Sequence, residues 1–359
     1  AADVDAEPAV GRLRTGFGHG GSSARQAVGD RNLGAPRTLV RRRDVGGLPG
    51  DQGRRLWCDG VVSASARQPE TLRAIAETLA AEAAGYVAAR RREVFGAGAA
   101  STGGVGAKST PTDPVTVVDT ETEELLRGRI ADLRPGDVVL GEEGGGPGAV
   151  GSGTVTWVDD PVDGTVNFVY GIPAFSVSVA AQVDGESVAG AVADVSSGDV
   201  YSAARGGGAH VQDAAGRRRL CCSGVTDLAM ALVGTGFGYA PARRAVQGQV
   251  LAALLPQVRD VRRLGSAALD LCMVAAGRLD AHYEHGLNVW DWAAGALIAA
   301  EAGAVVRLPA AGEPLGLTMA AAPGVADALS AGLAGREIGR PDVGAGSAQG
   351  QCGCAVGDS

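Results

Sequence analysis

A short stretch at residues 157–168, Trp-Val-Asp-Asp-Pro-Val-Asp-Gly-Thr-Val-Asn-Phe, constrains the fold more than any other part of the chain. Its first half is typical of a strand, Pro161 imposes a rigid turn, and Gly164-Thr165 favours a helix start. The turn aims the carboxylates of Asp160 and Asp163 at one point. The free N–H groups of a helix start favour an anion such as phosphate. Asp-Pro and Asp-Gly also form ordinary turns, but the combination predicts metal-dependent phosphoryl chemistry.

Two further acidic motifs strengthen this interpretation. Glu142 and Glu143 follow the apolar run at residues 138–140, so they also present carboxylates where a strand ends. Asp291 precedes an apolar stretch at residues 293–304 that is typical of a buried helix. The three motifs together predict one acidic site.

Helical and extended patterns alternate along the chain. Apolar residues recur at helical spacing from Pro69 to just before Gly96, and a second helix is predicted to end before Pro135. A β-prone run at residues 115–118 ends in Asp119. Strands are also predicted at residues 138–140, 154–160, 175–183, 187–195, 199–203, 229–234 and 279–284, and helices at 246–255 and 264–276. This alternation indicates layers of helices and sheets.

The acidic motifs resemble those of the inositol monophosphatase family, which comprises magnesium-dependent, lithium-sensitive phosphatases. The matching blocks are residues 141–143, 157–168 and 289–303, and the resemblance extends over about residues 70–335. It implies an α+β fold, the family's layered αβαβα sandwich, in a catalytic domain at 67–337 with halves at 67–210 and 211–337. It further implies hydrolysis of inositol monophosphate by an activated water, and a homodimer.

The resemblance also implies a set of metal ligands. Glu142, Asp160 and the backbone carbonyl of Val162 would hold a first ion. Asp160, Asp163 and Asp291 would hold a second, and Glu142 with waters would form a weaker third position. Oxygen ligands of this kind suit Mg²⁺. We therefore expect two or three Mg²⁺ ions per active site.

Catalytic roles follow from the same resemblance. Thr165 and Asp119 match the pair that orients and helps deprotonate the attacking water, and Glu142 is counted with them as catalytic. Lys108 is the single lysine among 32 basic residues, and it matches a family lysine near the metal and phosphate. A compact ammonium suits such a site, although a chance surface lysine is the alternative.

Substrate contacts are implied at two places. Asp163, Gly164 and Thr165 would face the phosphate. Glu284 and the Gly265, Ser266 and Ala267 segment resemble the family's contacts to inositol hydroxyls, where a carboxylate can accept from a polyol. The alternative is that Glu284 is an exposed loop charge. The substrate is thus expected to be a small phosphorylated polyol, and histidinol phosphate or another sugar or nucleotide phosphate is the alternative.

Asp159 departs from the family pattern, which has an apolar residue at this position. Strand alternation places it on the face opposite Asp160, so it is not assigned to the metals. We expect it either to pair with an arginine or histidine or to lie closer to solvent than its family counterpart. Replacement by leucine is expected to keep activity and to hold or raise stability.

Composition limits the remaining possibilities. With 359 residues and 45% hydrophobic content, the chain can bury a sizeable core. The net charge of −8 argues against a nucleic-acid partner, although an arginine-rich arm could bind the transcription apparatus. No apolar run approaches the ~20 residues of a membrane span and no secretory signal is evident, so we expect a cytoplasmic protein without a membrane partner. Residues 1–66 are predicted to be a disordered or non-native extension, and 338–359 a flexible tail.

Overall fold

The computed structural model describes residues 68–96, 105–108, 113–147, 151–310, 313 and 315–334. The helices are α1 Pro69–Phe95, α2 Val117–Leu133, α3 Thr165–Tyr170, α4 Pro241–Leu254, α5 Ala267–Ala275, α6 Val289–Glu301 and α7 Ala326–Leu333. The expectations for residues 1–66 and 338–359 lie outside the described residues. No described helix is both long and apolar enough to cross a membrane.

The strands form a hairpin and two larger sheets. The hairpin pairs β1 Val105–Ala107 with β2 Pro114–Thr116. Seven strands form the first sheet in chain order: β3 Val138–Gly141, β4 Val155–Asp163, β5 Ser176–Val183, β6 Glu186–Asp194, β7 Val200–Ala204, β8 Gly208–Asp213 and β9 Gly216–Arg219. The second sheet has the order β11-β10-β12-β14-β13, from β10 Leu232–Thr235, β11 Asp260–Arg262, β12 Ala281–His285, β13 Val305–Arg307 and β14 Leu317–Ala321. Only β3 pairs in parallel with its neighbour in the first sheet, whereas β10, β11 and β12 run parallel in the second.

The long helix α1 covers the outer face of the first sheet. It begins with Pro69, which needs no N–H partner in the first helical turn. It buries Leu72, Leu79 and Val87 completely, in one apolar cluster with Trp157 of β4. Each such aliphatic side chain contributes about 1.5–3 kcal/mol when it leaves water. The cluster fixes β4, and hence the turn after it, against a rigid layer.

The remaining helices complete the layers. In the middle, α5 and α6 pack on the first sheet through an apolar cluster that includes Val158 and Ile298, and both helices also contact the second sheet. On the far side, α4 and α7 bury Leu254 and Leu329 against β10, β12 and β14. The order is helix, sheet, helix, sheet, helix. The expected layered αβαβα sandwich is therefore confirmed.

Several boundaries differ from the sequence prediction, and two of these differences have a local cause. The strand predicted at residues 115–118 ends at Thr116, because Thr116 and Asp119 form a capping box that starts α2. Asp119 therefore lies in a helix and not at a strand end. Residues 228–230 form a 3₁₀ turn, so the strand predicted from residue 229 starts at Leu232. The predicted division at residues 210 and 211 falls within β8, and as a domain boundary it remains a prediction.

Candidate active site

β4 continues past Pro161 to Asp163, so its last residues carry two of the acids, and a glycine follows. The pairing of β4 with β5 shifts register between Asp160 and Asp163, so both carboxylates turn towards one cavity. Asp160 Oδ1 accepts from the Val162 N–H at 3.0 Å. Gly164 follows at φ +95°, and a Cβ there would lie 3.0 Å from the Ala174 carbonyl oxygen. Only glycine fits this corner without strain.

Asp160, Asp163 and Asp291 form the centre of the site. One carboxylate oxygen from each lies within 4.8 Å of the others. Burial raises the pKa of Asp160 and Asp291 well above the usual aspartate value, and the neighbouring carboxylates raise it further. A cation between these three oxygens would offset their mutual repulsion. The donor set therefore fits a hard divalent ion such as Mg²⁺.

The start of α5 holds Asp163. The Ser266 hydroxyl and the Ala268 N–H, the latter at 2.8 Å, donate to Asp163 Oδ2, and the Ala267 N–H lies 3.3 Å from Oδ1. Burial raises the pKa of Asp163 to about 6 despite these bonds. Gly265, Ser266 and Ala267 line the cavity, as predicted. Their hydrogen bonds to Asp163 were not foreseen.

Asp119 and Thr165 meet beneath the turn. The Thr165 hydroxyl lies 3.2 Å from Asp119 Oδ1 and 3.0 Å from the Val162 carbonyl oxygen. The other oxygen of Asp119 accepts from the N–H and hydroxyl of Thr116. Burial outweighs these hydrogen bonds and raises the pKa of Asp119 to about 7. This carboxyl can therefore exchange a proton near neutral pH.

Lys108 lies against the two glutamates after β3. Its Nζ is 2.7 Å from Glu142 and 2.5 Å from Glu143. Burial lowers the pKa of Lys108, but the two carboxylates more than compensate and raise it. Glu142 lines the cavity with the aspartates, although its oxygens are not in the 4.8 Å group. Lys108 thus contacts a glutamate that lines the cavity, and its role in catalysis stays a prediction.

Glu123 of α2 holds the glutamate loop and was missed in the sequence. Its carboxylate accepts from the N–H groups of Glu143 at 2.6 Å and Gly144 at 2.8 Å. Arg127, one helical turn later, donates to it at 2.8 Å. The spacing of Glu123 and Arg127 is a helical charge-pair signal. This spacing indicates the pair in the sequence, but it does not indicate that the pair holds the glutamate loop.

Asp159 is more deeply buried than expected. Its exposure is 0%, and neither carboxylate oxygen has a hydrogen-bond partner among the described residues. The expectation that it lies closer to solvent is therefore wrong. Burial raises the pKa of Asp159 well above its usual value, Glu123 and Glu142 raise it further, and Arg127 partly opposes this. Arg127 is the charged neighbour that the sequence did not identify, but it does not bond to Asp159.

The far wall of the cavity carries Glu284. The cavity has a volume of about 400 Å³, which suits a small ligand. Glu284 lines it with 12% of its side chain exposed, so it is not a free loop charge. Burial raises the pKa of Glu284 to about 7, although the charges of His282 and Arg263 act to lower this pKa. His282 is fully buried between Asp270, 3.2 Å from its Nδ1, and Glu284, 3.8 Å from its Nε2. Neither His282 nor Asp270 was predicted.

Comparisons with known proteins agree with this geometry. The model of the inositol monophosphatase family matches residues 68–336. The chain is 68% identical over 273 residues to an inositol-1-monophosphatase of Mycobacterium leprae, covering 74% of this chain and 94% of the relative. It is 42% identical over 200 residues to a protein of Pasteurella multocida named Nus factor SuhB, covering 55% of this chain and 73% of that one. The solved structure of Mycobacterium tuberculosis SuhB superposes with a TM-score of 0.64 at 59% identity, covering 74% and 97% of the two chains. The chain therefore belongs to the inositol monophosphatase family.

Proposed function

We propose that this protein is a Mg²⁺-dependent phosphomonoesterase that hydrolyses inositol 1-phosphate to inositol and phosphate. One observation carries the proposal. The carboxylates of Asp160 and Asp163, at the end of β4, and of Asp291, at the start of α6, lie within 4.8 Å of one another. They line a cavity that Thr165 also lines. The high identity to proteins named inositol-1-monophosphatase supports inositol phosphate as the substrate. The family is metal-dependent.

The metal ligands are proposed from the family resemblance together with the convergence of Asp160, Asp163 and Asp291. Glu142, Asp160 and the Val162 carbonyl would hold one ion, and Asp160, Asp163 and Asp291 would hold a second. When bound, Mg²⁺ lowers the pKa of a water and neutralises charge on the phosphoryl and leaving oxygens. Lys108 orients Glu142 through its 2.7 Å contact. A third ion at Glu142 stays a prediction.

Thr165 and Asp119 move the proton. Water attacks phosphorus, an O–P bond forms, and the ester P–O bond to inositol breaks. The water proton passes to Thr165 Oγ1, whose own proton passes to Asp119 Oδ1 at 3.2 Å. A carboxyl with a pKa of about 7 accepts this proton when it is ionised. The departing alkoxide takes a proton from solvent.

Backbone and side-chain donors would hold the substrate. The N–H groups of Gly164 and Thr165, where α3 begins, would donate to the phosphate. On the far wall, Glu284 accepts from ring hydroxyls. The Nε2 of His282 lies 3.8 Å from this carboxylate. Gly265, Ser266 and Ala267 complete this wall in the proposal.

A phosphate-release assay tests the proposal. Inositol 1-phosphate, histidinol phosphate, fructose 1,6-bisphosphate and a nucleotide monophosphate are compared with a Mg²⁺ titration and a Li⁺ challenge. Asp160→Asn should remove turnover, whereas Asp132→Asn, an exposed change on α2, should not. If only histidinol phosphate is hydrolysed, the substrate is histidinol phosphate and not inositol 1-phosphate. If the wild type releases no phosphate from any of the four, the chain is not a phosphatase of this class.

The relative named a Nus factor favours one second function, a binding role in transcription. The assay separates the two, because a scaffold needs neither Mg²⁺ nor Asp160. The arginine-rich segment that prompted this alternative lies within residues 1–66, outside the described residues. A homodimer and a cytoplasmic location remain predictions, and light scattering tests the first.

A further inference from the structure

Behind the far wall of the cavity lies a fully buried histidine, His282 of β12. Side chains alternate along this strand, and Tyr283 packs in the apolar cluster of α4 and α7. His282 and Glu284 therefore face the other way, towards α5. The strand partners of His282 are Gly234 on β10 and Ala320 on β14. Both are small, so the sheet leaves room for an imidazole ring at this position.

Two glycines on one side of β12 shape the space around this ring and its acidic neighbour. A Cβ on Gly234 would lie 3.1 Å from His282 Nδ1, and a Cβ on Gly236 would overlap the Glu284 carboxylate. A side chain at either glycine would therefore displace the imidazole or the carboxylate. The backbone thus keeps His282 and Glu284 next to each other at the wall of the cavity.

The ring of His282 lies between two carboxylates. Its Nδ1 is 3.2 Å from Asp270 Oδ2 of α5, and its Nε2 is 3.8 Å from Glu284 Oε2. Neither nitrogen makes a well-aligned hydrogen bond among the described residues, so the charges of the two acids are what favours the ring here. Burial lowers the pKa of His282, but Asp270 and Glu284 more than compensate and raise it. A positive charge is thus favoured next to Glu284.

The charge on the imidazole matters because of what Glu284 is proposed to do. A carboxyl group accepts from hydroxyls with both oxygens only when it is ionised. Burial raises the pKa of Glu284 to about 7, and the carboxylates of Asp270 and Asp163 act in the same direction. His282 acts to lower this pKa, and Arg263 does so to a smaller extent. His282 is therefore the cation that most favours the accepting form of Glu284.

We propose that His282, anchored by Asp270, is a positioning residue that holds the Glu284 carboxylate in place to accept hydroxyl groups of the polyol. The inference rests on the proposed function and specifies how the polyol part of the substrate is recognised. Loss of the imidazole weakens binding of the polyol ester about tenfold, the effect of one hydrogen bond to a charged group. Binding of phosphate at the acidic turn is unchanged, because Glu284 does not contribute to it.

The test separates the polyol from the phosphate. For the wild type and His282→Phe, we measure KM and kcat for inositol 1-phosphate, and Ki for inorganic phosphate as a competitive inhibitor. We expect KM at pH 7 to rise about tenfold in the variant, while kcat and Ki stay within about twofold. His210→Phe is the matched control, because it removes an imidazole on β8 that does not line the cavity. The control should change none of the three quantities.

The pH dependence of KM distinguishes a lost charge from lost packing. Without the imidazole, the pKa of Glu284 rises further, so the carboxyl is protonated at pH 7 and ionises again as the pH increases. The ratio of the variant KM to the wild-type KM should therefore fall between pH 7 and pH 9. Asp291 of α6 also interacts with Glu284, but it is present in both proteins. A ratio that is constant with pH indicates a purely structural effect and overturns the inference.

Failure of the positioning role and failure of the phosphatase activity give different results. An unchanged KM in His282→Phe, or a Ki for phosphate that rises as much as KM, overturns the positioning role while phosphate release continues. If thermal unfolding shows that this variant does not fold, Asp270→Asn takes its place with the same expectation. That change keeps the shape of the site and removes the acid that anchors the imidazole.

If the wild type releases no phosphate from inositol 1-phosphate, the proposed function fails. Calorimetric titration of inositol 1-phosphate in Mg²⁺ then decides the positioning role alone. Binding about tenfold weaker in His282→Phe than in His210→Phe supports it. Equal binding by the two variants, or no binding by the wild type, refutes it.

Discussion

Replacing Asp159 with valine should make the protein more stable. The carboxyl is fully buried on β4 and neither oxygen has a hydrogen-bond partner among the described residues. A buried polar group without a partner costs about 1–3 kcal/mol, and valine removes this cost while suiting a strand. For a domain of this size, each kcal/mol shifts the melting temperature by about 2–4 °C. Valine is preferred to leucine because it adds less volume beside fully buried neighbours such as Trp157.

The gain should depend on pH in a fixed direction. Burial places the folded-state pKa of Asp159 well above its value of about 3.9 in the unfolded chain. The folded state then binds the proton more tightly, so the contribution of Asp159 to stability is fully present below about pH 4 and is lost as the pH rises towards the folded pKa. The maximal slope for one group is about 1.4 kcal/mol per pH unit. The advantage of the variant should therefore grow from pH 4 to pH 8.

Urea unfolding of metal-free protein at several pH values measures both effects. Asp159→Asn is the matched control: it keeps a polar group of the same shape but cannot ionise, so it should lose the pH dependence without the full gain in stability. Turnover of inositol 1-phosphate should stay within about twofold in both variants, because strand alternation separates this side chain from Asp160. The reasoning is refuted if valine lowers the unfolding free energy or leaves its pH dependence unchanged.

Three further predictions concern the site itself. Asp119→Asn should lower kcat by about 10²–10⁴-fold, and the wild-type rate should rise with pH through about 7 because the ionised carboxyl accepts the proton; a flat profile in steady-state assays would contradict this role. Glu123→Gln places an amide N–H against the loop of Glu142, so apparent Mg²⁺ affinity should fall about tenfold, and an unchanged Mg²⁺ titration would show that the loop needs no such support. Ser266→Ala removes a donor to Asp163, whose pKa of about 6 should rise; in metal-free protein, carboxyl titration by NMR checks it.

The sequence identified the parts of the site whose signal is local. Asp160 and Asp163 stand on either side of Pro161, and this local motif indicated two acids at a strand end. Asp291 was found because an apolar helix follows it. In each case, the acid and the element that aims it are adjacent in the chain.

The parts that escaped prediction depend on contacts between distant elements. Glu123 lies on a helix face with no sign of the loop whose N–H groups it accepts. In the sequence His282 is an ordinary strand residue, and only the structure places Asp270 of α5 beside it. The strand prediction at residues 115–118 was wrong because β propensity at Val117 is overridden by the capping box of α2.

The capping boxes of α2 and α6 give two acids of the site a second, structural role. Asp119 and Asp291 each bond the backbone of the residue before their own helix, and so hold its first turn. Asp160 caps no helix, and its Oδ1 accepts from the Val162 N–H two residues along β4. A descendant that lost the reaction would still need the two capping acids to fold, but would be free to lose Asp160. Among chains of this fold, the aspartate before the proline therefore distinguishes an active enzyme from an inactive relative better than the two capping aspartates do.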